Sequence, residues 1–207
     1  MEVRKCRHHV PVARSRLFGL ALQFANQIHA DQVRKGLGAP YISHLMAVCA
    51  QVLEYGGDED QAIAALLHDA AEDCGGRPMF ESVRLIFGDG VASIVECCTD
   101  TMEQPKPAWR PRKEAYIERM RREPARARLV VTADKLHNLG NTLRDIRTQG
   151  VQAWREAMDR TPNGAADKQL WYYRACRDAL ATGWTHPLLT EFSRAVDEFE
   201  RVLAGAP

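Results

Sequence analysis

The spacing of apolar residues predicts an all-α protein. From Ser15 onward they recur at i, i+3 and i+4, the rhythm of amphipathic helices, and almost no period-2 alternation interrupts it. Glycine and proline then cut the rhythm into segments of helical length at Gly36 to Pro40, Gly56-Gly57, Gly75 to Pro78, Gly88 to Gly90 and Pro162 to Gly164. With 207 residues, one domain carrying a decorated end is the expected organisation.

Taken in chain order, the helices expected are Arg14 to Val33, Ser43 to Tyr55, Glu59 to Asp73, Met79 to Phe87 and Val91 to Cys98. The second half supplies Pro111 to Glu123, Pro124 to Ile146, Val151 to Met158, Ala165 to Thr182 and His186 to Leu203. Thr99 to Arg110, with Pro105 and Pro107, is the longest irregular piece and reads either as a loop over a site or as a surface connector. The arginine-rich run Arg119 to Arg128 is broken by Glu123 and Pro124 and reads as a solvated helix face. The helices from Ala165 to Leu203 suit either packing on the core or a homodimer contact, and spacing does not choose between them.

Composition narrows the function. Hydrophobic residues make up 45% and charged residues 27% of the chain, and mean hydropathy is −0.36, as in soluble globular proteins. No apolar run approaches the roughly 18 residues a membrane span needs, and the basic start Met1 to Val10 is not followed by an apolar signal region. A cytoplasmic protein without membrane association is therefore expected. A net charge of +1 and a pI near 7.7 argue against nucleic acid as a partner, because its capture needs a broad basic footprint. Six cysteines without a CxxC spacing read as reduced thiols, not as a disulfide framework or a structural zinc site.

The chemistry concentrates in Ala64-Ala65-Leu66-Leu67-His68-Asp69-Ala70-Ala71-Glu72-Asp73, where an apolar helix abruptly presents four ionisable groups. On a continuous helix Glu72 lies one turn beyond His68 and Asp73 one turn beyond Asp69, so all four share a side. Charges buried there need partners or a metal. A His-Asp pair offers imidazole nitrogen and carboxylate oxygen, a mix suited to manganese, iron or zinc. His44, after the candidate N-cap Ser43, reads as a further ligand or as a hydrogen-bonded core histidine. Asp134, which interrupts the apolar run Leu129 to Ala133, reads as a ligand or as the partner of Lys135 or an arginine.

The order His44, His68-Asp69, Asp134 resembles the H…HD…D signature of the HD-domain metal-dependent phosphohydrolases. Further text carries a closer resemblance, to the hydrolase domain of the Rel/Spo-type alarmone enzymes and specifically the stand-alone small alarmone hydrolases. That text is Arg34-Lys35 before Pro40-Tyr41-Ile42-Ser43-His44, then Ala65 to Asp69 with Glu72-Asp73, Phe87-Gly88, Thr99-Asp100, Arg112-Lys113 and Ala133 to Leu139. The likeness runs from about Leu17 to Tyr173.

The resemblance implies an HD-domain helical bundle, with an N-terminal tail over 1–13, the phosphohydrolase domain over 14–182 and a C-terminal helical extension over 183–207. It implies one manganese ion held by His44, His68, Asp69 and Asp134, with Glu72 and Asp73 catalytic. The implied reaction is hydrolysis of the 3′-diphosphate of guanosine tetra- or pentaphosphate, releasing pyrophosphate and GDP or GTP. Arg34, Lys35 and Asn138 match positions near bound nucleotide. Lys168 and Tyr172, four apart on one helix face, match a later basic-plus-tyrosine pair or form part of an aromatic core stripe. Arg112 and Lys113 read as surface residues ahead of phosphate contacts.

Leu45 and Cys74 stand where that family often has proline and threonine, and neither change removes a metal or catalytic group. The chain contains no GxxxxGK[ST] motif and no room for a following synthetase domain. The rival functions are an HD phosphohydrolase acting on an adenosine alarmone, a deoxynucleotide or NADPH, and a catalytically silent nucleotide sensor or toxin-neutralising partner. The intact set of ligands and acids weighs against silence.

Overall fold

Local signals start the helices. In the computed structural model, which describes residues 15–34, 38–161 and 165–205, the Ser15 hydroxyl accepts hydrogen bonds from the amides of Leu17 and Phe18 and so caps α1 (Arg16–Ile28). Asp58 and Gln61 form a reciprocal capping box at the head of α3 (Glu59–Leu67), which follows α2 (Ile42–Glu54). His186 caps α10 (Pro187–Leu203), with Pro187 in its first turn, where a missing N–H costs nothing.

The expected helix Glu59 to Asp73 is divided. α3 ends at Leu67, His68 and Asp69 lie between, and α4 (Ala70–Asp73) adds one further turn. The His68 ring Nδ1 donates to the carbonyl of Ala65, 2.8 Å away, so a side chain takes a bond at the point where the regular helix stops. The two expected helices around Gly88 are present as the two arms of α5 (Gly76–Cys98), which part at Gly88, whose non-helical φ of +88° suits a residue without Cβ. α1 also stops earlier than expected, at Ile28, because the His29 ring engages Gln32 in the turn that follows.

The remaining elements are α6 (Trp109–Met120), α7 (Ala125–Gln149), α8 (Val151–Asp159) and α9 (Ala166–Leu180). Among the described residues the extended structure amounts to one isolated bridge, Val33 to Pro40, so the all-α expectation holds. α7, 25 residues and about 37 Å long, forms the axis and contacts α2, α3, α5, α8, α9 and α10. α3 is buried from Gln61 through Leu67, and its three alanines allow neighbouring helices a close approach.

α10 packs on α7 and α9 through the fully buried Leu188, Phe192, Val196 and Phe199, so the last helix joins the core. No described helix is long and apolar enough to cross a membrane. The five described cysteines are unpaired. Lys35 and Cys6 lie outside the described residues.

Candidate metal and phosphate site

Two helices and the α3–α4 turn bring the motif residues to one buried point. His44 comes from the first turn of α2, His68 and Asp69 from the break between α3 and α4, and Asp134 from the middle of α7. His44, His68 and Asp134 each direct one ligand atom into a space where these atoms lie within 4.8 Å of one another. His44 Nε2 stands 3.2 Å from Asp134 Oδ1, and His68 Nε2 stands 3.5 Å from the same oxygen. Asp69 Oδ2 completes the group at 3.0 Å from His68 Nε2 and 3.6 Å from His44 Nε2. Both histidines are 1% exposed, which makes the setting an interior one.

The hydrogen bonds behind the cluster decide which nitrogens face it. A carbonyl only accepts, so the bond to Ala65 puts the His68 proton on Nδ1 and turns the Nε2 lone pair inward. That Nε2 is buried and has no hydrogen-bond partner among the described residues. Burial opposes a charge on His68, yet Asp69 and Asp134 outweigh it and hold the imidazole's proton affinity well above the ordinary value. An orphaned lone pair in a field that attracts a positive charge fits a divalent cation, which competes with the proton for the same site.

The two carboxylates of the group are held in turn. Tyr41 Oη donates to Asp69 Oδ2 at 2.6 Å, while Lys135 Nζ and Asn138 Nδ2 each donate to Asp134 at 2.6 Å. Arg34 Nη2 donates to Asn138 Oδ1 at 2.9 Å, which ties the loop before α2 to α7. Burial would raise Asp134, but Lys135 and the two histidines keep it well below the carboxylate range.

Beside the cluster lies a cavity of about 900 Å³. Glu72, Lys106, Arg112 and Lys113 line it on one side, Arg34, Asn138 and Tyr172 on others. Lys106 Nζ contacts Glu72 Oε1 at 2.9 Å and Asp73 Oδ1 at 3.2 Å. Burial first, and then the charge of Asp100, push the Glu72 carboxyl above its ordinary pKa. Asp73 also accepts from Gln32 Nε2 at 2.9 Å.

Arg112 and Lys113 are not the surface residues expected. Their side chains are 12% and 16% exposed, and both pair with the buried carboxylate of Asp100. The expected irregular segment ends at Ala108, just before α6 begins, and Thr99 to Ala108 is a loop over the site that brings Lys106 onto the acidic pair. Tyr172 is buried in the cavity wall, its Oη without a partner among the described residues, while Lys168 stands exposed on α9 outside the cavity lining. Sequence reasoning did not single out Tyr41, Lys106 or His137. His137 was visible in principle, since it follows Asp134 by three residues and shares a helix face with it.

A helical bundle that closes two imidazoles and two carboxylates over one buried point defines a class, the HD domain. The family model described by that name matches residues 21–159, and the chain belongs to this family. Among its relatives is the guanosine-3′,5′-bis(diphosphate) 3′-pyrophosphohydrolase MESH1 of Xenopus tropicalis, 38% identical over 139 residues that make up 66% of this chain and 73% of that one. The human MESH1 is 36% identical over the same shares. A probable GTP pyrophosphokinase of Mycobacterium leprae is 36% identical over 131 residues, of which the matched part is 16% of its length. Among solved structures, one reported as a metazoan ortholog of SpoT that hydrolyses ppGpp superposes with a TM-score of 0.68 at 28% identity, covering 90% of this chain and 95% of that one.

Proposed function

We propose that this chain is a metal-dependent pyrophosphohydrolase that removes the 3′-diphosphate of guanosine tetra- or pentaphosphate, with manganese as its ion. The observation that carries the reading is the buried His44–His68–Asp134 group, flanked by Asp69, opening on a cavity that also holds Glu72 and the cationic side chains of Lys106, Arg112 and Lys113. The names of the MESH1 relatives and the activity reported for the solved SpoT ortholog support the same substrate.

His44, His68, Asp69 and Asp134 would hold the ion, and two imidazoles with two carboxylates suit manganese, iron or zinc. When bound, a divalent ion lowers the pKa of water and offsets phosphoryl charge. Arg112 and Lys113 bind the diphosphate oxygens; the buried Arg112 Nε has no partner among the described residues and is a donor in reserve. Lys106 adds a mobile-stemmed cation over the same oxygens.

Glu72 accepts a proton as water adds to the phosphorus next to the sugar. The bond from that phosphorus to the ribose 3′-oxygen breaks, the oxygen takes a proton, and pyrophosphate and GDP or GTP leave. A carboxyl raised by burial is suited to take a proton and return it in one cycle. Asp73, sharing Lys106 with Glu72, keeps that lysine in place between both acids.

The test is product analysis of metal-stripped protein with and without added manganese, using guanosine and adenosine alarmones, deoxynucleotides and NADPH, with Glu72→Gln as control. Manganese-dependent pyrophosphate release from the guanosine alarmone, lost in the control, is expected. Survival of every nucleotide while manganese is bound would refute the hydrolase reading in favour of a sensor.

A further inference from the structure

Asp145 is the carboxylate of the cavity that the chemistry leaves unused. Of the acids lining that space, Asp69 and Asp134 belong to the ligand group and Glu72 is engaged by Lys106. Asp145, half-buried on α7, makes no hydrogen bond or ion pair among the described residues. A negative charge in a cavity built for a polyanion weakens binding unless the ligand brings hydrogen-bond donors to it.

Position says which part of a ligand arrives there. Asp134, Asn138, Asn141 and Asp145 follow at spacings of four, three and four, so they form one stripe along the cavity face of α7. Eleven residues separate the ligand Asp134 from Asp145, a rise of about 16 Å. That span is comparable to the reach of a nucleotide from a sugar phosphate to the far edge of its purine. The wall beside Asp145 changes character as well: Trp154 and Met158 of α8 line it and offer aromatic and thioether surface to a flat ring. Lys106 and Arg112 stand by Glu72, Lys113 by the neighbouring Asp100 and Lys135 by Asp134, all near the ligand group, whereas Arg34 and Arg144, which also line the cavity, are tied to Asn138 and Asn141. Positive charge is thus densest at the Glu72 end, and an asymmetric nucleotide enters with its phosphates toward Glu72 and its base toward Asp145.

We infer that Asp145 reads the nucleobase and selects guanine over adenine. Guanine presents two adjacent donors on one edge, N1–H and the 2-amino group, and a carboxylate accepts both side by side. Adenine presents an acceptor nitrogen at the corresponding place, so two lone pairs would face each other. This inference rests on the nucleotide reading above and adds to it the residue that sets the base.

The experiment measures kcat/KM for the guanosine and adenosine 3′,5′-bis(diphosphates) with the wild-type chain, Asp145→Ala and Asp145→Asn, each first checked by thermal melting for an intact fold. The wild type should favour guanosine by tenfold or more, the order of magnitude of a bidentate contact. Asp145→Ala should bring the ratio toward one through loss on guanosine. Asp145→Asn, which offers one acceptor and one donor, should move the ratio further toward adenosine. The same ratio in all three proteins overturns the inference. If the wild type cleaves neither compound, the hydrolase reading fails by itself, and the ratio of GDP to ADP dissociation constants in wild type and both variants decides the role of Asp145 by the same criterion.

Discussion

His137 Nδ1 lies 2.7 Å from His44 Nδ1, on the side of the His44 ring that faces away from the ligand group. Asn141 Nδ2 approaches the same His137 nitrogen at 3.2 Å, and Arg144 Nη1 donates to Asn141 Oδ1 at 3.0 Å, which fixes the amide's orientation because arginine only donates. His137 Nδ1 therefore accepts, His44 Nδ1 carries a proton, and the His44 Nε2 lone pair points inward. Burial first, and then His44, bring the His137 pKa down to about 4, so the ring is neutral and able to accept near pH 7. Replacing His137 by alanine should weaken manganese binding about 10- to 100-fold, as loss of such supporting partners does. Isothermal titration of metal-stripped protein checks this, and an unaltered affinity would remove His137 from the metal's support.

The rate profile should carry the mark of Glu72. A base must be deprotonated to work, and this carboxyl is raised by burial and by Asp100, so kcat/KM should begin to fall at a pH above the ordinary carboxylate range. Lys106 acts in the opposite direction, favouring the charged form through its contact at 2.9 Å. Lys106→Met should therefore push the acid limb to still higher pH. A limb that stays in place in this variant would separate Lys106 from the proton chemistry.

Asp100 should make the fold acid-sensitive. Burial alone would raise it, but Lys113 and Arg112 overrule burial and hold it below its ordinary value. A depressed carboxylate stabilises the fold above its unfolded pKa, and that contribution disappears as pH falls through the folded value. Asp100→Asn removes the carboxylate shared by Arg112 and Lys113, leaving Arg112 only Glu72 at 3.9 Å, and should cost on the order of 3 kcal/mol. Denaturant titrations at pH 7 and near pH 3 test it: the gap between wild type and variant should shrink at the lower pH.

How much of this was legible beforehand depended on the scale of the signal. The proposed ligand residues His44, His68, Asp69 and Asp134 stood out because each is a polar intrusion in apolar text. The interruption at His68 was invisible, since helical periodicity continues through Asp73 and the cause is one ring-to-carbonyl bond to Ala65. Arg112 and Lys113 looked like surface charge because their partner, Asp100, sits twelve and thirteen residues away across a loop. Lys168 shares its turn with Gln169, and only packing of α9 decides that the glutamine lines the cavity.

The C-terminal helix should be indispensable to folding although it contains none of the site residues. Phe192 and Phe199 of α10 are fully buried, and Phe199 meets the Trp154 ring edge-on at a centroid distance of 5.6 Å. Trp154 in turn lines the cavity, so α10 supports the far wall of the site from behind. Phe199→Ala removes a large ring from a filled interior and should cost about 3–5 kcal/mol. It should also raise KM more than it lowers kcat, because Trp154 loses its backing while the ligand group and Glu72, held by other helices, stay in place. Removal of residues 183–207 would uncover the apolar faces of α7 and α9 together and should yield a chain without a cooperative melting transition. A shortened chain that melts cooperatively and cleaves substrate would make α10 an accessory to the bundle.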